Sequence, residues 1–259
     1  MRADLRFLSR MEAHAVEAWP ATVTERVDGG WVLRATPGLD RGRSNHALPP
    51  CRPLWRGEIP AAIDRVEVFA RAHGIHAGIQ VSPLSLHRTL TAELDARGWE
   101  TRWPVLVLAA TPGNSRWPDP GLGSSLERVD QATPEWLAAW ARCEPGRDVE
   151  AHARTVFPLL AGRATFARLD DVAVGIAVDG GGLVGLFCLA VDPARRREGL
   201  GTALVRSLLA GSGAEVAYLQ VEEHNAPAVA LYERLAFGEA YRYCHRVKAP
   251  ERAADHPGV

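Results

Sequence analysis

The 259 residues are 47% hydrophobic and carry 30 basic against 31 acidic side chains, a formal net charge of −1. That length and composition suit one large domain or two ordinary ones with a packed core. The even charge excludes an overall field that would draw the chain to nucleic acid or an anionic membrane, so any anion site must be local.

The N-terminal stretch MRADLRFLSRMEAHAVEAW is charged throughout, unlike a signal peptide, and no segment approaches the ~20 apolar residues that span a bilayer. A cytoplasmic protein is expected. In the first half, Arg26-Val27-Asp28 precedes WVLRA, and the strand-like Ile79-Gln80-Val81 precedes a helical stretch ending in Gly98-Trp99-Glu100. Between them, Leu48 to Gly57 holds three prolines. Thr111 to Ser125 then reads TPGNSRWPDPGLGSS, the composition of an exposed connection.

The second half echoes the first in the same order. Arg168-Leu169-Asp170 precedes VAVGIAV, and Leu219-Gln220-Val221 precedes a helical stretch ending in Ala236-Phe237-Gly238-Glu239. Two matches in one order suggest a duplicated unit of roughly a hundred residues, with chance as the alternative. Leu183 to Val191 is a continuous apolar run, expected to be a central strand buried on both faces. Asp192-Pro193 ends it, and Leu200 to Ala210 has helical spacing with Gly211-Ser212-Gly213 as its stop. Val216 to Val221 reads as the next strand. Asn225-Ala226-Pro227 is a helix start and that helix runs to about Leu235, while Tyr241 to Val247 alternates like an antiparallel strand.

The joint between Leu183–Val191 and the helix from Leu200 is Arg195-Arg196-Arg197-Glu198-Gly199-Leu200-Gly201. Successive backbone N–H groups at the positive end of a helix make a phosphate site, and arginines can add charge-assisted bonds. A plain helix entry with a solvated arginine run is the alternative. A P-loop is excluded by the missing Lys-Ser/Thr. A dinucleotide fingerprint is disfavoured by Leu204 at its third small position and by the long lead-in from Asp192, although Glu222 lies where a ribose-binding acid would stand.

The arrangement Arg196-Arg197-Glu198-Gly199-Leu200-Gly201 resembles the R/Q-x-x-G-x-G/A signature of the GNAT superfamily of acyl-CoA N-acyltransferases. Asn225-Ala226-Pro227-Ala228 through Leu231-Tyr232 to Ala236-Phe237 is similar to its second motif, and the resemblance covers about residues 165 to 247. Ala236 departs from the usual glycine there. The resemblance implies acetyl-CoA as co-substrate, with its pyrophosphate on the backbone from Arg197 to Thr202 (Arg197, Glu198, Gly199, Leu200, Gly201, Thr202), Arg196 beside it, and the pantetheine arm along Leu189, Ala190 and Val191. Asn225 and Ala228 would lie near that arm, and Tyr232 would face the sulfur as general acid. No carboxylate lies in Leu183–Val191, so the general base is sought among Glu222, Glu223, His224 and a relayed water, with Glu222 preferred because alternation aims it with Gln220, and an exposed loop acid as the alternative for that residue.

The expected fold is α/β: two tandem GNAT-like domains, each a mixed, mostly antiparallel sheet flanked by helices. Residues 1–115 form a degenerate N-terminal domain, 116–125 a linker, 126–249 the catalytic domain and 250–259 a tail. The prolines of Leu48–Gly57 supply no N–H donors, so the first domain is expected to bind no coenzyme A and to help shape the acceptor site; Trp31, Asn45 and His46 are candidates for that role or for turn and core. The expected reaction is acetyl transfer to a primary amine of a small molecule or protein by direct attack in a ternary complex, in a monomer or homodimer. No metal, nucleic acid or membrane is expected. A non-catalytic acyl-CoA sensor and a nucleotide-dependent oxidoreductase are the alternatives. Cys51, Cys143, Cys188 and Cys244 form no C-x-x-C pair and His73/His76 no H-E-x-x-H, which argues against disulfides and zinc.

Overall fold

The computed structural model describes residues 4–83, 88–112, 117 and 125–248. The chain forms two compact units, and neither is one continuous half of the sequence: residues 4–22 and 105–242 make the first, 23–104 and 243–248 the second.

In unit one, α1 (Leu5–Ala18) starts at Asp4, whose side chain accepts from the Arg6 N–H at 3.2 Å. A sheet follows in the order β4 (Trp99–Ala110), β9 (Val216–Glu222), β8 (Leu183–Val191), β7 (Ala173–Gly180), β6 (Ala164–Leu169) and β5 (Leu126–Val129), all antiparallel except β8 with β9. The helices are α5 (Pro134–Cys143), α6 (Val149–Arg154), α7 (Val156–Leu160), α8 (Leu200–Ala210) and α9 (Ala226–Arg234). Helix α8 buries Leu204, Val205, Leu208 and Leu209 in one core with Leu106, Leu186, Leu219, Val221, Tyr232 and Phe237. Each such leucine contributes about 1.5–3 kcal/mol on leaving water. The alternation of β9 therefore turns Ala217, Leu219 and Val221 toward α8 and α9, and Tyr218, Gln220 and Glu222 toward the opposite face. On that opposite face the His14 Nδ1 of α1 lies 2.8 Å from the Tyr218 hydroxyl.

In unit two, β1 (Val23–Val27) and β2 (Trp31–Ala35) form a hairpin, followed by α2 (Gly42–Asn45), α3 (Ile59–Ala72), β3 (Gly78–Val81) and α4 (Arg88–Ala96). Ala47 and Leu48 bridge it, Leu48 antiparallel to Val32 and Ala47 parallel to Ile79. The distal part of β10 (Gly238–Lys248) pairs antiparallel with β3, His245 opposite Gln80. Unit two thus repeats unit one's sequence of neighbours: an antiparallel hairpin, a third segment parallel to a fourth, and a last strand antiparallel to that fourth.

The last strands explain why the units and the sequence halves differ. Strand β4 ends the first half but its residues Val105–Ala110 pair with β9, whereas β10 ends the second half but its residues Cys244–Val247 pair with β3. The division expected at 1–115 and 126–249 follows the chain; the contacts follow this exchange. Of the segment read as a linker, 116–125, only Trp117 and Ser125 are among the described residues, and the tail 250–259 lies outside them.

Candidate functional site

The strand expected to be buried on both faces is so only over Leu183–Phe187; Cys188 to Val191 are half-buried. The reason is a bulge. Strand β7 pairs Val174 with Ala190 and then Ile176 with Phe187, so Gly175 faces two residues, Cys188 and Leu189, and Cys188 takes φ +50°. A Cβ on Gly175 would lie 2.7 Å from the Leu189 side chain. Beyond the bulge β8 leaves its other neighbour: pairing with β9 runs from Leu183–Val216 to Leu186–Leu219 and stops, while β9 continues along β4 to Glu222. A seam opens between Leu189–Val191 and Gln220–Glu222, lined by backbone polar groups that an extended chain of amides can bond.

The seam leads to the start of α8. Asp192 caps a short turn by accepting from the Ala194 N–H at 2.8 Å, and Gly199 adopts φ +82° at the N-cap with no side-chain cap. The N–H groups from Arg197 through Thr202 meet no acceptor among the described residues, which fits a nest of donors for an anion at the positive end of the helix dipole. The two glycines act differently. Around Gly199 there is open space, whereas a Cβ on Gly201 would lie 2.9 Å from Leu231 of α9 and 3.6 Å from Val191, so Gly201 lets the helices approach each other.

The arginines also divide. Arg195 is bonded to Glu198 at 2.7–3.0 Å, which raises the one and lowers the other in pKa, so the Glu198 carboxylate is neutralised locally and only its backbone belongs to the nest. Arg196 donates from Nε to the Val191 carbonyl at 3.3 Å, which sets its guanidinium beside the end of β8. Arg197, at φ +71°, makes no side-chain bond among the described residues.

Helix α9 is capped by Asn225, whose Oδ1 accepts from Ala228 N–H at 3.3 Å. Tyr232 is buried against Phe237, ring centroids 6.1 Å apart, and burial pushes its phenol up to about 12. No hydrogen bond to its hydroxyl occurs among the described residues. Its side chain lies on the α8/α9 face of the sheet, Glu222 on the other. Glu222 is half-exposed and its Oε2 lies 3.1 Å from His224 Nε2; Glu223 is paired instead with Arg242, which also holds Glu239 at 2.7 Å.

Unit two has the same loop with a different content. Pro49, Pro50 and Pro53 lack donors, and the Glu58 carboxylate accepts from one of the others, the Trp55 N–H at 3.0 Å, and from Arg52 at 2.9 and 3.2 Å, while Arg52 also donates to the Pro53 and Gly29 carbonyls. Tyr232 stands five residues before Phe237; five before the matching Trp99 stands Leu94, fully buried. Trp31, Asn45 and His46 are core and turn residues: Trp31 is buried, Asn45 bonds Thr36 N–H and the Leu39 carbonyl, and His46 Nδ1 lies 2.7 Å from His245 Nδ1. Glu58 carried no sequence signal, since its bond to Arg52 is a tertiary feature of the loop. Among the described residues no group of three or more His, Cys, Asp or Glu could hold a metal ion, and no helix is long and apolar enough to cross a membrane.

The family described as "Probable histone acetyltransferase Rv0428c C-terminal" matches residues 3–246. The mycothiol acetyltransferase of Clavibacter michiganensis subsp. michiganensis is 48% identical over 243 residues, 85% of this chain and 73% of that one. A GCN5-related N-acetyltransferase from Kribbella flavida superposes with a TM-score of 0.66 at 18% identity, over 98% and 99% of the two chains. A tandem GNAT protein from the clavulanic acid biosynthesis pathway superposes at 0.60 and 13% identity, over 93% and 88%. The chain belongs to the matched family and, with it, to the GNAT superfamily of N-acetyltransferases.

Proposed function

We propose that unit one transfers an acetyl group from acetyl-CoA to a primary amine by direct attack in a ternary complex. The observation that carries this reading is the open seam between Leu189–Val191 and Gln220–Glu222, running to the unpaired donors of Arg197–Thr202. An extended pantetheine arm fits the seam, and a pyrophosphate fits the donors with Arg196 and Arg197 beside it.

An amine must be neutral to attack, and a lysine-like ammonium of pKa ~10.4 costs roughly 4 to 5 kcal/mol to deprotonate at pH 7. Glu222 takes that proton on one face of the sheet. Tyr232 meets the leaving sulfur on the other, so acid and base do not compete for one position. With its phenol pushed up to about 12, Tyr232 stays protonated and donates a hydrogen bond to the developing thiolate. Asn225, its Oδ1 occupied by the helix, keeps its amide N–H groups for the pantetheine carbonyls, and Ala228 leaves room beside them. Unit two, with Glu58 bonded within its loop and Leu94 in place of the tyrosine, carries no second cofactor.

Coenzyme A release from acetyl-CoA, measured with a panel of small-molecule and peptide amines, tests this reading. Turnover of at least one amine is expected. Calorimetric binding of acetyl-CoA with no turnover of any amine would leave an acyl-CoA sensor, and binding of NAD in its place would leave the oxidoreductase.

A further inference from the structure

His224, whose Nε2 lies 3.1 Å from the Glu222 carboxylate, has no part in the acyl transfer proposed for this site. The carboxylate sits at the end of β9 where the seam opens, and the imidazole lies beyond it, their side chains 50% and 76% exposed. The turn is held by its backbone, Asn225 N–H to the Glu222 carbonyl and Ala226 N–H to the His224 carbonyl, each at 2.9 Å. The two side chains are thus not needed to form the turn, and an exposed pair of this kind adds little to stability. The neighbouring Glu223 faces Arg242 instead, which leaves His224 as the polar partner of Glu222 among the described residues.

We infer that His224 is a positioning and proton-relay residue for Glu222, an inference that rests on the acyl-transfer reading above. Nε2 lies 3.1 Å from the carboxylate, so the ring holds one rotamer of Glu222. The exposed remainder of the ring faces water and gives the proton a way out, the path running from seam to Glu222 to imidazole to solvent. In the step itself the amine nitrogen forms the bond to the thioester carbonyl carbon, and the C–S bond breaks with its electron pair on sulfur. The amine's proton goes to Glu222 and from it to the unprotonated Nε2 of the imidazole, whose Nδ1 proton leaves to water, and exchange with solvent restores the starting tautomer; Tyr232 gives a proton to sulfur and regains one from solvent. Without the ring, Glu222 would have to discharge directly to water between turnovers.

The experiment compares His224→Ala, His224→Gln and Glu222→Gln with the unaltered protein, using acetyl-CoA and the amine of the panel that turns over fastest, with calorimetric acetyl-CoA affinity as the control for folding. His224→Ala should lower kcat about tenfold with acetyl-CoA affinity and amine KM within twofold, and free imidazole at tens of millimolar should restore several-fold of the loss, because the exposed ring leaves an accessible space. His224→Gln, which keeps an N–H donor but cannot carry a proton, should stay low. Unaltered turnover in His224→Ala, or recovery by glutamine without response to imidazole, would overturn the relay. Full activity of Glu222→Gln would instead remove Glu222 from the reaction and the relay with it, and absence of any amine turnover by the unaltered protein would remove the acyl-transfer reading itself.

Discussion

Two loops of the same descent in topology end differently. In unit one, residues 192–199 carry the chain from β8 into α8, and the N–H groups from Arg197 to Thr202 meet no acceptor among the described residues; in unit two, residues 49–58 carry it from Leu48 into α3, and the Glu58 carboxylate accepts from the Trp55 N–H and from Arg52. The difference is small in composition. Prolines remove donors, and one acid held by one arginine takes up the Trp55 N–H. On the function proposed for unit one, such a loop would cease to take an anion as much by an internal carboxylate as by loss of its glycines.

The comparison extends to the helices that follow, where Tyr232 is matched by Leu94. Tyr232→Phe keeps the ring against Phe237 and removes only the hydroxyl. We expect kcat to fall by ~10²-fold, about 2.7 kcal/mol, with acetyl-CoA affinity nearly unchanged. Wild-type turnover under conditions where chemistry limits the rate would make the tyrosine as inert as the leucine.

Matched strand positions of the two units differ next in what acid would protonate. Opposite Gln220, β4 of unit one has Val107; opposite Gln80, β10 of unit two has His245, bonded to His46. Burial, with Arg34 and His76 adding repulsion, pushes His46 down to about 3, and burial, then His46, Arg34 and Arg43, hold His245 well below its ordinary range. In the unfolded chain each imidazole takes a proton near ~6.5. Between that value and the folded one the unfolded state binds more protons, so stability is complete above ~6.5 and declines as pH falls below it. From pH 7 to pH 5 we expect a loss of about 2 kcal/mol from His46 alone, visible in the urea midpoint and reduced in His46→Gln. Equal pH dependence in that variant would remove the pair as the cause.

Gly199→Asp tests the loops themselves. An aspartate there faces open space but brings a negative charge to the donors, and its positive φ adds backbone strain. Acetyl-CoA should bind at least tenfold more weakly, ~1.4 kcal/mol. Titration of the unaltered chain should find one acetyl-CoA per molecule; a second site of similar affinity would end the contrast between the loops.

How much of this was legible depends on whether the cause was local. Strand β8, helix α8 and the Asn225 cap follow from apolar runs, helical spacing and a capping side chain, and they lie where those patterns put them. The bulge at Cys188 has no proline or glycine of its own to mark it; it arises because Leu189 packs onto Gly175 across the hairpin. The exchange of β4 and β10 is non-local by nature, its only trace being strands of 12 and 11 residues where their partners have 7 and 4. The pairing of Glu222 with His224 could be suspected from spacing, but the opposite facing of Glu222 and Tyr232 needed the register of β9 and the packing of α9.

The smallest contrast lies in the turns after α4 and α9. Both place a residue in the left-handed region, Gly98 at φ +72° and Ala236 at φ +64°, so the alanine has kept a geometry that glycine adopts without cost. The turn is retained because the Phe237 N–H closes on the Tyr232 carbonyl at 3.0 Å, fixing the aromatic pair. A non-glycine residue in this conformation costs about 1–2 kcal/mol, and glycine returns about 0.5–1 kcal/mol of that as unfolded-state entropy. Ala236→Gly should therefore stabilise the protein by about 0.5–1 kcal/mol, whereas Gly98→Ala, which meets no atom within 4 Å, should destabilise it by a similar amount through backbone strain alone. Denaturant midpoints shifting the same way in both variants would show that the two turns are not the matched pair their dihedral angles indicate.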